Sequence, residues 1–334
     1  VCGNGVAEGD EECDGTDLAG NTCQDLGYSD PNGLACTGCD LDDSGCMPTC
    51  DGFLEPTEPC DDGNDNPFDG CDECVVVAPP LGSCAMPVDV TLNPGLTQVS
   101  GNTTMGGLQT TDQCDDEENA RDVVFAVTPS KDGYVSAYMA PTDASYDSML
   151  YAMDDCNDPS TGILCADNFP SGRETISFQV TAAQTYYVVV DGWQGAEGTF
   201  TLNLTLAEGT CADPVPFPLW QGIDMPASGA TTGFTNEHTS TGCGGSISAD
   251  VVYRVAPQFD GQVEARVLNG LTSYDAVIAA RSSCADALTQ IACDHDFGGG
   301  DETIQVDVTN GTPFFLWVDG WNSAEGSYRL DLSP

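Results

Sequence analysis

The sequence predicts an all-β protein: two tandem β-sandwiches of about 125 residues each behind a disulfide-rich, loop-dominated front. Three observations carry this reading. The chain repeats itself at an offset of 128 residues, its β-branched runs are spaced by Gly, Asn, Asp and Pro, and ten of its eighteen cysteines crowd into Cys2–Cys74. At roughly 100 to 200 residues per domain, 334 residues hold two or three domains. We place them at 1–78, 79–208 and 209–334.

The front comes first. Its opening 80 residues contain twenty acids and no Lys or Arg. With few large apolar side chains it needs disulfides or bound cations to replace a core. Cys36-x-x-Cys39 and Cys71-x-x-Cys74 have the spacing of a four-thiolate zinc site. Eight further cysteines in the same module make disulfides the preferred reading and zinc the unlikely one. Asp61, Asp62, Asn64, Asp65, Asp69 and Asp72 crowd oxygen ligands around Gly63 and Gly70, where the backbone can turn and add carbonyls. Calcium is the expected cofactor there, since so many carboxylates in a small loop otherwise repel one another.

Beyond Val75-Val76-Val77 and Pro79-Pro80 the repeat begins. Asp122-Val123-Val124-Phe125 returns as Asp250-Val251-Val252-Tyr253, and Tyr146-Asp147 as Tyr274-Asp275. Glu174-Thr175-Ile176 returns as Glu302-Thr303-Ile304, and the run from Tyr186 to Trp193 as Phe314 to Trp321. The cysteines keep step: Cys84, Cys114, Cys156 and Cys165 match Cys211, Cys243, Cys284 and Cys293. Strands are expected at 122–127, 133–139, 147–153, 174–181, 185–191 and 198–206, with equivalents one repeat later. Two or more earlier strands fall within 88–103 and 215–234. Thr199–Leu204 alternates strictly, so one of its faces is buried and the other wet. The nine-residue step from Cys156 to Cys165, and from Cys284 to Cys293, suits a loop-closing bridge. That would leave Cys84 for Cys114 and Cys211 for Cys243.

These features, from the Asp-Val-Val-Tyr/Phe strand to the Val-Asp-Gly-Trp strand end followed by Glu-Gly, resemble the bacterial prepeptidase C-terminal domain family over roughly 84–334. The resemblance implies jelly-roll-like sandwiches, used as accessory modules of secreted proteins and often of peptidases. The front, with Cys13-Asp14-Gly15 and Cys60-Asp61-Asp62-Gly63-Asn64, resembles the cysteine-rich repeats of secreted myxobacterial proteins across most of 1–74.

Composition narrows function. Fifty-four acids against seven basic residues give a formal charge of −47, which sets nucleic acid and anionic membranes aside and favours cations and basic surfaces. No apolar run approaches the ~18 residues of a spanning helix, so no transmembrane segment is expected. Val1 is neither an initiator Met nor the start of a signal peptide, so the chain reads as mature or as a fragment. An even cysteine count points to an oxidising, extracellular or cell-surface location. With 40% hydrophobic residues there is material for real cores.

Catalysis finds little support. The only histidines are His238 and His295, and there is no His-Glu-x-x-His. Asp43-Ser44-Gly45 matches a short aspartic-protease pattern but lies in a module too small for two lobes. A second-rank calcium set is Asp147, Asp167, Asn168 and Asp191, with Asp275, Asp294, Asp296 and Asp319 in the second copy; turn and capping roles compete with it. Trp193 and Trp321 could stack on sugar rings, anchor a protein partner, or pack over a sandwich end. Sequons stand at Asn102, Asn203 and Asn310. The expectation is a non-enzymatic, calcium-stabilised structural or adhesive protein that self-associates, as in a filament, or binds extracellular protein or polysaccharide. The alternative is an accessory substrate-binding region of a larger secreted peptidase or glycosidase.

Overall fold

The β-branched and aromatic runs of the repeat region are strands, several buried on both faces and others alternating, and the computed structural model assembles them into sheets with no α-helix among the described residues. The structure describes the chain apart from residues 1, 10, 29, 47–70, 73–74, 77–80, 108–119, 143–145, 169–171, 238–242, 244–246 and 297–299, with backbone alone at 71–72 and 75–76. The chain divides into two units, Val1–Pro80 and Leu81–Pro334.

In the first unit three bridges, Cys2–Cys39, Cys13–Cys36 and Cys23–Cys46, tie loops around a hairpin of Ala35–Thr37 and Asp40–Asp42. Cys36 and Cys39 are thereby committed to disulfides. The carboxylate of buried Asp14 accepts the amides of Gly3 and Asn4 at 2.8 Å each, and Asp17 accepts that of Ala7 at 3.0 Å. Here acids serve as turn staples in place of a core. Val75–Val76 pairs with Cys71–Asp72 in a short ladder.

In the second unit the strands follow the repeat one for one. The first copy has β1 Val88–Leu92, β2 Gly95–Asn102, β3 Val123–Pro129, β4 Gly133–Pro141, β5 Ser148–Met153, β6 Gly162–Asp167, β7 Glu174–Val180, β8 Tyr186–Gly192 and β9 Thr199–Ala207. The second has β10 Val215–Leu219, β11 Met225–Ala230, β12 Val251–Pro257, β13 Gly261–Val267, β14 Ala276–Arg281, β15 Gln290–Asp294, β16 Glu302–Val308, β17 Phe314–Gly320 and β18 Ser327–Ser333. Strands β6 and β15 are not among the strands the sequence predicts, and β6 pairs with β5 across a register shift.

The expected pair of jelly-roll-like sandwiches is corrected. Each copy does have a five-stranded sheet of its own, ordered β6-β5-β8-β3-β1 and β10-β12-β17-β14-β15. The opposing strands of both copies, however, form one eight-stranded sheet, ordered β16-β13-β18-β11-β7-β4-β9-β2. Three pairings are parallel: β1 with β3, β10 with β12, and β7 with β11. A wholly antiparallel jelly roll has no place for these. The result is a laterally continuous, repeat-built β-structure instead of two closed bodies.

Register explains how the cores are arranged. Ile176, Phe178 and Val180 of β7 point into the first core, against β3, β5 and β8. Ser177 alternates with them and lies opposite Ala227, which belongs to the second core. Paired residues share a face, so the two cores lie on opposite faces of the shared sheet. Tyr134 of β4 also points away from the first core. It is fully buried in the second, the one buried side chain there that comes from the first copy among the described residues, and its hydroxyl donates to Ala230 O at 2.9 Å. Gly229 makes room: a Cβ there would stand 2.5 Å from the Tyr134 ring. Tyr138 stacks on Trp220 at 4.5 Å, and the Arg173 guanidinium lies 5.5 Å from the Trp220 ring.

The disulfide pairing within the copies is also corrected. The bridges are Cys84–Cys156, Cys211–Cys284 and Cys243–Cys293. Cys165 is disulfide-bonded too, and Cys114 lies outside the described residues. The turn after β5 does not need the short bridge, because Thr161 closes it by donating to Asp155 O and Asp158 O at 3.0 and 2.7 Å. Cys84–Cys156 instead covers the outer face of the five-stranded sheet, beside Val124, Tyr151 and Val189. Non-reducing peptide mapping should recover the three pairs, and repeat equivalence adds Cys114 with Cys165; finding Cys156 linked to Cys165 refutes this arrangement.

The junction predicts that the two copies unfold together. Tyr134→Ala should cost about 3–5 kcal/mol and Tyr134→Phe about 1 kcal/mol. Calorimetry of the full chain should place both copies in a single transition that Tyr134→Ala lowers as a whole. Loss of only one copy's unfolding signal counts against a shared sheet.

Candidate functional site

Strand ends gather acids at one end of each copy. In the first, Asp147 precedes β5, Asp167 ends β6 and Asp191 lies near the end of β8. Asp167 and Asp191 both lie opposite Met149, so they share its outward face, away from Leu150 and Ala152 in the core. Trp193 is tied to this end, its amide donating to Asp147 O at 2.9 Å. Asp191 accepts the Gly192 amide at 2.6 Å, while its carbonyl accepts the Tyr146 hydroxyl at 2.6 Å. One carboxylate oxygen of Asp147 is enclosed without a hydrogen bond, and burial raises that group's pKa.

Asn168 and Glu174 lie on the core side of the same end. Glu174, the first residue of β7, is fully buried. It accepts the Asn168 amide at 3.0 Å and the Asn168 Nδ2 at 2.6 Å. Burial outweighs those bonds and, reinforced by the charges of Asp167 and Asp147, pushes Glu174 up to about 8. The side-chain oxygen of Asn168 accepts the Asp224 amide at 2.8 Å, linking this end to the second copy.

The second copy repeats the frame with altered chemistry. Trp321 donates its amide to Asp275 O at 2.8 Å, and buried Asp319 accepts the Gly320 amide at 2.7 Å. His295 stands where the first copy has Asp167. Its Nε2 is 3.3 Å from the Asp275 carboxylate, and its ring stacks on Trp321 at 4.3 Å and 17°. Asp294 accepts the Thr303 amide at 2.9 Å, and the Asp296 amide donates to Glu302 at 2.6 Å. Burial, then the charges of Asp294, Asp275 and Asp296, pushes Glu302 up to about 7. Glu174 and Glu302 were not among the expected site residues; the Glu-Thr-Ile repeat was the signal that pointed to them.

Among the described residues, the one group of three acidic or thiol side chains whose ligand atoms all lie within 4.8 Å of one another is Glu11, Asp14 and Cys39. The Cys39 sulfur is already bonded to Cys2. Asp61, Asp62, Asn64, Asp65 and Asp69 lie outside the described residues, as do the side chain of Asp72 and the whole of His238. No helix of the described chain is long and apolar enough to cross a membrane.

Several clefts flank the junction between copies, among them one of about 560 Å³ between Gln179 and Phe234 and two others. One, of about 610 Å³, runs between Asp154 and Ile163 on one side and Ser228 and Arg329 on the other. The second, of about 340 Å³, is lined by Asp167, Asn168, Asp224, Arg266 and Arg329. Both arginines are already paired, Arg266 with Asp301 and Arg329 with Asp331.

No protein-family model matches the chain, and a search of curated proteins gives no match. Among solved structures, the pre-peptidase C-terminal domain of a Bacillus anthracis collagenase matches at 12% identity and a TM-score of 0.26, covering 36% of this chain and 96% of that one. The CUB1-EGF-CUB2 domains of rat MASP-1 match at 11% identity and a TM-score of 0.19, covering 74% and 100%. A tail fiber protein from an E. coli phage matches at 8% identity and a TM-score of 0.22, covering 65% and 35%. Likenesses of this size assign neither family nor activity.

The raised carboxyls make stability depend on pH with a definite sign. Glu174 is protonated in the folded chain up to about pH 8 but ionises near 4.5 once unfolded. Its contribution is complete below pH 4.5 and is lost as pH rises toward 8, by an amount on the order of a few kcal/mol. In calcium-free buffer Glu174→Gln should flatten the fall in melting temperature between pH 5 and 8. An unchanged slope would show that Glu174 is ionised in the folded chain.

Proposed function

We propose that the chain is a non-enzymatic, secreted or cell-surface structural protein, adhesive, stabilised by calcium, and the subunit of an extracellular fibre or array. The observation that carries this reading is the joining of two near-equivalent copies through one sheet. A catalytic site needs a single asymmetric constellation of nucleophile, base and charge stabiliser. Duplication in fixed geometry instead multiplies a binding surface or extends a length. The disulfides fit an oxidising compartment. His295, the one described histidine, is engaged by Asp275 and Trp321, which suits a packing role better than a catalytic one.

Binding is assigned to the matched ends of the copies. Trp193 and Trp321, both half-buried beside acidic turns, offer ring surface to a polysaccharide or an extracellular protein. Co-sedimentation with washed cell envelopes and insoluble polysaccharides is the test. Trp193→Ala and Trp321→Ala should each weaken retention, and the double variant should abolish it. Retention unaffected by either change removes these residues from the binding surface. The competing reading, an accessory region of a larger peptidase or glycosidase, draws on the sequence resemblance of 84–334 and requires a catalytic domain in the same reading frame.

Calcium is proposed as the counterion that makes −47 tolerable, with Asp61, Asp62, Asn64, Asp65, Asp69 and Asp72 as principal ligands. A ligand at 100 times its dissociation constant adds about 2.7 kcal/mol of stability. Chelation should therefore lower the melting temperature of the full chain, and calcium should restore it where magnesium does not. Melting that ignores chelator, together with no heat of calcium binding, overturns the assignment.

A further inference from the structure

The join between the copies is made once within the chain, and its two halves recur at the ends of the sheet. Strand β7 lies parallel to β11, with Ser177 opposite Ala227 and Phe178 opposite Ser228. In the repeat, β16 is the counterpart of β7 and β11 the counterpart of β2. The eight-stranded sheet begins with β16 and ends with β2. One end therefore presents a β7-type strand and the other a β2-type strand.

We propose that β16 of one chain pairs in parallel with β2 of a second copy, repeating between molecules the join that β7 and β11 make within one. The contact is heterologous, so each added chain leaves both kinds of edge open again, and association propagates into a fibre. The interface deepens the reading as an extracellular structural protein and rests on it.

The composition of β2 supports this occupant. Sheet edges are ordinarily protected by charge or proline. Among the edge strands of the second unit, β10 carries Pro216 and Pro218, β1 carries Asp89, β6 Asp167, β15 Asp294 and β16 Asp307. Strand β2, Gly-Leu-Thr-Gln-Val-Ser-Gly-Asn, has eight residues with neither charge nor proline, and its Leu96 is 66% exposed. Its counterpart β11 is likewise uncharged, and β11 is covered by β7. The 128-residue offset also fixes the register: Gln305 falls opposite Val99 and Val306 opposite Ser100.

The aromatic anchors of the internal join do not recur. Gln262 stands at the place of Tyr134, Arg266 at that of Tyr138 and Asp301 at that of Arg173. The first copy has no gap for an incoming ring, because Phe200 of the same chain already fills the space over Gly101 that Tyr134 fills over Gly229. The join between chains thus rests on backbone pairing and is the weaker of the two. With −47 on each chain it also needs screening, such as the ~8 Å Debye length of physiological salt or bridging cations.

The test uses the full chain at physiological ionic strength across protein and calcium concentration series, followed by sedimentation velocity and negative-stain imaging. Fibres are expected, and p-benzoylphenylalanine in place of Gln305 should crosslink to the 93–102 segment of another chain. Ser100→Glu, which adds charge to the exposed edge, should raise the concentration needed for assembly by about tenfold with an unchanged melting temperature. A chain that stays monomeric throughout overturns the proposal, as do crosslinks to a different segment or Ser100→Glu fibres that form as readily as the parent's. Surface retention by a persistent monomer sinks this interface and leaves the adhesive reading standing; assembly through β2 without any retention does the reverse.

Discussion

The parallel pairing of β7 with β11 is the constraint on which the arrangement of residues 81–334 depends. A strand presents alternate side chains to opposite faces, so the register of one pairing decides which face each copy builds on. With Ser177 opposite Ala227, the second core forms on the face that the first leaves polar. A slip of one residue would put both cores on one face and turn Tyr134 toward water. Tyr134 in turn opposes the slip, since its ring fits only where Gly229 lacks a side chain and its hydroxyl reaches Ala230 O. Pairing and anchor enforce each other.

The charge of the chain has two structural uses before any ligand is considered. Many carboxylates accept backbone amides at turns: Asp14 and Asp17 in the front, Asp158 and its repeat counterpart Asp286 at matching short helical turns. There the carboxylate holds a loop by accepting its amides. Glu174 and Glu302 are held differently, at the first residue of β7 and β16, where burial pushes the carboxyls up to about 8 and about 7. The seven basic residues cannot balance the acids, and Lys131 already serves both Glu208 and Asp213 at the passage between copies.

Much of this was legible in the sequence, and what was hidden has a common cause. The repeat located both copies, and alternation located strands such as Thr199–Ala207, because a half-buried strand writes its face into every second residue. Alternation does not say which strand lies alongside. That is why the shared sheet, the parallel pairings and the role of Tyr134 could not be read, and why the nine-residue step from Cys156 to Cys165 suggested a bridge where the fold makes Cys84–Cys156. The acidic ends were visible as clustered Asp residues. Their separation into an outward face with Asp167 and Asp191 and a core side with Glu174 depends on pairing with Met149 and on burial, which composition does not record.

Where the copies differ, the differences follow position in the sheet. At the internal join the side chains are Tyr134, Tyr138, Arg173 and Trp220: Tyr138 stacks on Trp220 with the Arg173 guanidinium near the same ring, and Tyr134 packs against Phe234 and Tyr253. The first three have polar counterparts in Gln262, Arg266 and Asp301 at the free end. An internal join forms at the high effective concentration that the chain itself provides and can bury aromatic surface permanently. A terminal edge must remain soluble in every unassembled molecule, and exposed rings there would invite unspecific contact. Polar side chains at the β16 end meet the first demand and the uncharged strand β2, at the other end of the sheet, meets the second: the one end resists unspecific contact while the backbone groups of the other stay able to pair. The duplicated module thus uses one backbone geometry twice, and side-chain chemistry makes the inner join permanent and keeps the outer edge open.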